Sequence, residues 1–341
     1  MQRPLKLFLT LIPLLAAAGW LAQTHADEYL LAVVCFAGIN MILAVSLNLT
    51  NGFTGLFSLG HPAFMAIGGY ATALLTFSLD KKPLFLPDLP AWMVPLHLPF
   101  FPALLVGGLL AALTAMVLGA CVLRLKGHYL AVATMGFLII VQVLLNNSEA
   151  ITRGPLGLNG LEDYTNAWWV FGWALVTIYV CWKIKFSSLG RALLAMREDE
   201  MAAGALGVNL FYYRNFALTL GAFFAGIAGG LWAHLITAVT PGSFSLIMSF
   251  TIVVMVVVGG TGSITGSCLA AIFFTVIVEA FRPLEENFGI YGVGEIVTSL
   301  ILISILVFRP GGIFGSHEPG VILGSNHTSK SVNPNSQGAN P

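Results

Sequence analysis

Runs of about 20 mostly apolar residues recur along nearly the whole chain, separated by short polar joints. A helix of that length, rising 1.5 Å per residue, crosses the ~30 Å hydrocarbon core of a bilayer. In lipid, a helix satisfies its own backbone polar groups without help from water. Measured with this ruler, candidate spans fall at 5–23, 29–50, 62–79, 100–123, 128–147, 167–183, 214–236, 246–262, 266–282 and 292–308. The expectation is an all-α, polytopic transmembrane helix bundle of about ten spans, the eighth and ninth being short.

Composition supports this solvent. Only 9% of residues are charged and 57% are hydrophobic, where a soluble domain carries about 25% charged residues. Too little polar side chain is present to clothe a water-facing surface. A net charge of zero gives nucleic acid nothing to bind. Cys35, Cys121, Cys181 and Cys268 lie in apolar runs without C-x-x-C spacing, so they read as small buried hydrophobes. No metal site and no cofactor is expected from them.

The chain divides into a transmembrane domain over residues 1–315 and a tail over 316–341. The tail is polar and rich in Ser, Asn, Gly and Pro, and is expected to be disordered and cytoplasmic. Orientation follows from Lys and Arg. With the N-terminus inside, Arg3, Lys6, Arg124, Lys126, Lys183, Lys185, Arg191, Arg197, Arg214, Arg309 and Lys330 fall on the cytoplasmic side. Lys81, Lys82, Arg153 and Arg282 fall outside. Both termini are therefore expected in the cytoplasm. An alternative stays open at the start: residues 1–26 could be a signal peptide cleaved after Ala26. Five spans on each side of residue 165 also have the parity of an inverted repeat, without sequence similarity between the halves.

Ion-coupled carriers place carboxylates or lysines deep in their spans. Here Glu279 and Glu295 sit close to span ends, so a driving force from a separate protein is expected. The nearest approach to a P-loop, "GSNHTSKS", lacks the glycine before Lys330 and lies in the tail.

Small polar residues and glycines gather in two clusters. In "NLTNGFTGLFSLGHPAFMAIGGY", residues 48–70, Gly52, Gly55 and Gly60 with Pro62 would break a helix in or at the edge of the membrane. A break at that depth needs protein or a water-filled cavity beside it. A half-helix starting near Ser58 to Pro62 would aim N–H groups at a substrate carboxylate. The other reading is a cytoplasmic turn followed by close small-residue packing in "AIGGYA". The second cluster, "GGTGSITGS" at 259–267, is either a tight connection or a re-entrant break. Asn48, Gly52, Gly55, Ser58, Gly60, His61, Gly259 and Gly260 are the candidate pathway residues. His128 lies at a cytoplasmic boundary, and His234 reads as a packed hydrogen-bonding group. Ser58 and His61 have no oxyanion motif or third group to make a hydrolase.

The segment "GRALLAMREDEMAAGALGVN", residues 190–209, interrupts the apolar chain with five charges. It is too polar to cross lipid, and Leu189, Leu193, Met196 and Leu206 give it an apolar side. One reading is a helix lying in the headgroups. Against it, the acidic triplet Glu198 to Glu200 would be repelled by anionic lipid, and short helices split by glycine make a docking knob.

This segment resembles the cytoplasmic coupling loop of ABC-transporter permeases, and is similar in particular to the branched-chain amino-acid ABC transporter permease family. The general pattern of such loops is Glu-Ala-Ala, three residues, then Gly. Ala202, Ala203 and Gly207 match, while Met201 takes the Glu position and Glu200 comes one residue early. "SLNLTNGFTGLFSLGHPAFMAIGGYA", "RLKGHYLAVATMGF", "TRGPLGLNGL" and "LVFRPGGIFG" resemble the family in the same order, so the likeness runs from about residue 30 to 315. It implies a pathway subunit of an importer in the bacterial inner membrane, not an enzyme. A second homologous permease, two cytoplasmic ATP-binding subunits and a periplasmic substrate-binding protein would be its partners. The loop at about 184–213 would dock the ATPase through Arg191, Glu198, Asp199, Glu200, Ala202, Ala203 and Gly207. Neutral spans suit leucine, isoleucine or valine. A urea or short-amide permease of the same superfamily and a facilitative channel are the rival readings.

Overall fold

The computed structural model describes residues 28–125, 127–289 and 292–308, together with Gly312 and Gly315. The first candidate span, the Ala26 junction, Lys126, Arg309 and the tail lie outside the described residues.

The described chain is an all-α bundle, and a helix stands at each of the nine remaining candidate positions. In order they are α1 (Glu28–Thr54), α2 (His61–Thr76), α3 (Phe100–Val122), α4 (His128–Asn147) and α5 (Ala167–Lys185). Two short helices follow, α6 (Ser188–Glu198) and α7 (Glu200–Ala205). Then come α8 (Leu210–Ile236), α9 (Leu246–Gly259), α10 (Ile264–Phe288) and α11 (Val293–Phe308). Seven of these, all but α2, α6, α7 and α11, are long and apolar enough to cross a membrane, α9 only when counted with the 3-10 turn before it, as Pro241–Gly259. At 16 residues, α2 and α11 are about 24 Å long, short of a full hydrocarbon core.

Polar residues set the helix starts. Asn166 caps α5 by accepting from Trp169 N at 3.1 Å, and Asn209 caps α8 through Tyr212 N at 3.1 Å. Ser263 does the same for α10, accepting from Gly266 N at 3.1 Å. Pro62 opens α2, where a missing N–H costs nothing.

At the centre α8 packs against α1, α2 and α3, and α1 in turn against α5 and α10. Glycine makes the middle of this arrangement possible. A methyl group at Gly68 of α2 would overlap Gly226 Cα of α8, and one at Gly107 of α3 would lie 2.7 Å from Gly68 O. One at Gly226 would lie 3.0 Å from Gly108 Cα. Three backbones thus meet where side chains would hold them apart, the small-residue packing expected at "AIGGYA".

At the far end of α2, Thr76 Oγ1 lies 2.8 Å from His234 Nε2, and His234 Nδ1 lies 2.8 Å from Glu162 O. His234 is packed and hydrogen-bonded, as its position suggested. A two-residue antiparallel ladder pairs Leu158 with Val239 and Asn159 with Ala238, tying two loops at this end. In the same region Lys82 is buried, its Nζ donating to Leu96 O and Met93 O; burial lowers its pKa. Cys35, Cys181 and Cys268 are buried, but Cys121 is exposed because it lies on the outer side of α3.

Candidate functional site

The first glycine cluster is a true break, displaced from where the glycines suggest. Gly52 does not end α1, which runs on to Thr54. It is a packing glycine: a methyl there would lie 2.5 Å from Gly262 N. The break comes at Gly55, whose φ of +72° suits glycine.

From there the chain climbs back into the protein. Asn51 clamps it, accepting from Ser58 N at 3.1 Å and donating to Ser58 O at 3.3 Å. Leu59 N donates to Thr134 Oγ1 of α4 at 3.0 Å, and Ser249 Oγ of α9 donates to Leu59 O at 2.6 Å. Gly60 sits where a methyl would be 3.1 Å from Thr134 O. Helix α2 begins at His61, beside Ser46 (Nε2 to Oγ, 2.8 Å). Ser46 lies eight residues, about 12 Å, before the end of α1. So α2 starts well inside the bundle, which explains its shortness. Ser58, Leu59, Gly60 and His61 are all buried. The N–H groups of Ser58, Leu59 and Gly60 are already taken by Asn51, Thr134 and Ser58 Oγ, so they are not aimed at an empty cavity. His61 pairs with Ser46 rather than Ser58, which removes the hydrolase constellation.

The second cluster is a buried tight connection between α9 and α10. Gly259 packs on α10, where a methyl would lie 2.7 Å from Ser267 N, and Gly260 has φ +112°. Asn48 of α1, fully buried, holds this turn with three bonds. Its Nδ2 donates to Ser263 O (2.8 Å) and Ser267 Oγ (2.9 Å), and its Oδ1 accepts from Gly262 N (2.8 Å). The two clusters, some 200 residues apart in sequence, are therefore one unit through Asn48.

The charged loop grips that unit. Arg197, in the last turn of α6, donates from Nη1 to Gly52 O at 2.8 Å and to Thr261 O at 3.1 Å. Lys185 Nζ, at the end of α5, donates to Gly262 O at 2.6 Å. Gly55 lies under Arg197, where a methyl would be 3.2 Å from Cγ. A cation binding two carbonyls of different elements ties the loop to the ends of α1 and α9. Neither Arg197 nor Lys185 stands among the candidate residues of the sequence reading. Their acceptors are backbone carbonyls, which leave no mark in a sequence.

Other charges of the loop are engaged within the protein. Asp199 is the N-cap of α7, accepting from Met201 N (2.8 Å) and Ala202 N (3.0 Å). Glu200 is ion-paired with Arg214 of α8. These two carboxylates serve the fold of the loop, while Arg191, Glu198 and Asp199 are exposed and the Glu200 side chain is 42% exposed. Leu193 and Met196 are buried, but Leu206 is 84% exposed, because the cap at Asp199 restarts the helix on a new face. Ala203 points inward, while Met201, Ala202, Gly204, Ala205, Leu206 and Gly207 are exposed. The tip of the loop is thus a small apolar knob. Gly207 (φ +84°) closes α7, with Gly207 N donating to Gly204 O and Val208 N to Ala203 O. Among the described residues no group of three or more His, Cys, Asp or Glu could hold a metal ion.

A bundle of membrane-length helices, with buried breaks tied to a polar loop, defines a multi-pass membrane protein. The family described as "Branched-chain amino acid transport system / permease component" matches residues 29–308. The chain belongs to that family, whose members are transport subunits and not enzymes. It is 32% identical to the high-affinity branched-chain amino acid transport system permease protein LivM of Escherichia coli K12, over 92% of this chain and 76% of the relative. It is 30% identical to LivM of Salmonella typhimurium, over 94% of this chain and 77% of the relative. BraD of Pseudomonas aeruginosa, also a branched-chain amino acid permease protein, is 35% identical over 40% of this chain and 42% of the relative. No solved structure matches the chain.

Proposed function

We propose that this chain is the membrane-spanning permease subunit of an ATP-driven importer that moves leucine, isoleucine and valine into the cytoplasm. Ten spans, a cytoplasmic 184–213 loop and an inner-membrane location with both termini inside complete the reading; nine helices at the expected positions support it, as does the positive-inside asymmetry. Residues 1–315 form the permease domain and 316–341 its tail. The partners are a second homologous permease, two ATP-binding subunits and a periplasmic binding protein. Membership of a branched-chain amino acid transport family supports them, and the names LivM and LivH among the relatives support a permease pair.

The observation that carries the mechanism is the pair of hydrogen bonds that Arg197 Nη1 donates to Gly52 O and Thr261 O. The ATPase docks on Ala202, Gly207 and their exposed neighbours, with Arg191 and Glu198 at the rim. ATP-driven closure moves α6 and α7. Through Arg197 and Lys185 that movement reaches the ends of α1 and α9, and through Asn48 the start of α10. The break at Gly55–Gly60 lies next to this unit and changes with it, opening the route inward.

Uptake of labelled leucine by proteoliposomes holding the whole complex tests the reading. Uptake should require both the binding protein and ATP, and should ignore urea. Uptake without ATP would make the chain a facilitative channel, and uptake of urea in place of leucine would assign the other substrate class.

A further inference from the structure

Between the broken segment, the joint before α4 and the coupling loop lies a cleft of about 240 Å³. Leu56, Phe57, Leu125 and Leu130 form its apolar walls, and Glu200 and Arg214 its polar end. The Arg214 side chain is only 7% exposed. Its Nη2 donates to Glu200 Oε1, but its Nε is buried without an acceptor among the described residues. A buried guanidinium edge with one donor filled and one empty is incomplete, since this edge matches a carboxylate through two parallel bonds. Glu200, 42% exposed, can turn aside at little cost.

The chemistry of that end is one cation and one anion beside an aliphatic wall. We propose that the cleft is a second, cytoplasmic site for the zwitterion of a branched-chain amino acid, and that its occupancy slows the transport cycle. The α-carboxylate takes the Nε and Nη2 edge of Arg214, the α-ammonium takes the Glu200 carboxylate, and the side chain lies along Leu56 and Leu130. The volume lies below that of drug-sized pockets and suits one amino acid. Glu200 is the first residue of α7. A ligand between Glu200 and Arg214 therefore replaces the contact that holds the docking knob to α8. Product accumulating in the cytoplasm restrains its own import. This inference rests on the transport reading and on the cytoplasmic placement of the loop.

The test uses the assembled complex of both permeases and both ATP-binding subunits in nanodiscs, without the binding protein. Labelled leucine should bind saturably at millimolar concentration. Isoleucine and valine should compete; leucinamide, lacking the carboxylate, and 4-methylpentanoate, lacking the ammonium, should not. Basal ATP hydrolysis should fall by about fivefold at saturation. Glu200→Gln, which removes the charge, should weaken leucine binding by about tenfold, the worth of one charged hydrogen bond. Leu125→Trp, which fills the cleft from an exposed position, should do likewise. Leucine binding unchanged in both variants, or equal competition by leucinamide, overturns the site. Binding without slower hydrolysis overturns the regulatory role. If the parent complex binds no leucine yet imports it when given the binding protein, the cleft fails and the transport reading stands. If it imports none, the transport reading itself fails.

Discussion

Arg197 Nη1 stands 2.8 Å from Gly52 O, joining the last turn of the helix that precedes the exposed knob to the last turn of α1. The same atom also reaches Thr261 O at 3.1 Å, so one guanidinium nitrogen links three elements. A hydrogen bond from a charged donor is worth about 1.5–3 kcal/mol, and Lys cannot reproduce the planar fork. Arg197→Gln should therefore lower leucine uptake by about tenfold or more while the ATP-binding subunits still co-purify. Arg197→Lys should fall between that variant and the parent. Uptake at the parent's level in Arg197→Gln would remove Arg197 from the relay.

Asn48 should matter for stability before it matters for rate. Its three bonds satisfy Ser263 O, Ser267 Oγ and Gly262 N in a fully buried setting. Asn48→Ala leaves Gly262 N without its acceptor, at about 1–3 kcal/mol, and opens a gap beside Ser263 O and Ser267 Oγ, which keep the bond between them and that from Ser267 N. Thermal unfolding in detergent should show a clear loss for Asn48→Ala and a smaller one for Ser267→Ala, which removes one partner only.

The glycine junction offers a sharp contrast within one residue type. Gly68 has Gly226 Cα where a side chain would begin, whereas Gly136 of α4 has nothing within 4 Å of that position among the described residues. Gly68→Leu should abolish the folded protein in membranes, as judged by its amount after detergent extraction. Gly136→Leu should leave that amount unchanged. At Gly60 the space toward Thr134 O is tight rather than closed; Gly60→Ala should retain uptake and Gly60→Leu should lose it.

The helices were legible in the sequence because an apolar run of about 20 residues has few other ways to satisfy its backbone in lipid. The true break at Gly55 was legible less well. Gly52 and Gly55 look alike in sequence, and only backbone geometry separates a packing glycine from a turning one. "AIGGYA" announced close packing, but nothing announced that its partner would be Gly226, more than 150 residues away. The polar loop was legible as a charged, glycine-split segment, but the capping by Asp199 and the ion pair of Glu200 with Arg214 were not. A capping carboxylate and an internally paired one carry the same letter as a docking one. Arg197 and Lys185 escaped notice because they act on main-chain carbonyls.

Sidedness has a direct check, once the exposed Cys121 is replaced by Ser. Thr165 is a poor external probe, being buried with its Oγ1 donating to Leu231 O at 2.9 Å. Leu156, 67% exposed, is a better one. In intact cells an impermeant thiol reagent should label Leu156→Cys and spare Ser188→Cys. Labelling of the latter would invert the topology.

The docking of an ATPase on the knob is tested most directly at Gly204. Gly207→Arg would confuse two effects, because φ is +84° there and any side chain strains the backbone. Gly204 is helical, exposed and has nothing within 4 Å of a side chain's first carbon among the described residues, so Gly204→Arg adds bulk and charge without disturbing the fold. The measurement is leucine-stimulated ATP hydrolysis by the reconstituted complex with its binding protein, read beside co-purification of the ATP-binding subunits. Gly204→Arg should lose the stimulation, and with it most of the co-purification, while the permease itself is recovered in normal amount. Full stimulation and full co-purification in Gly204→Arg would show that residues 190–209 lie on the membrane surface and dock nothing.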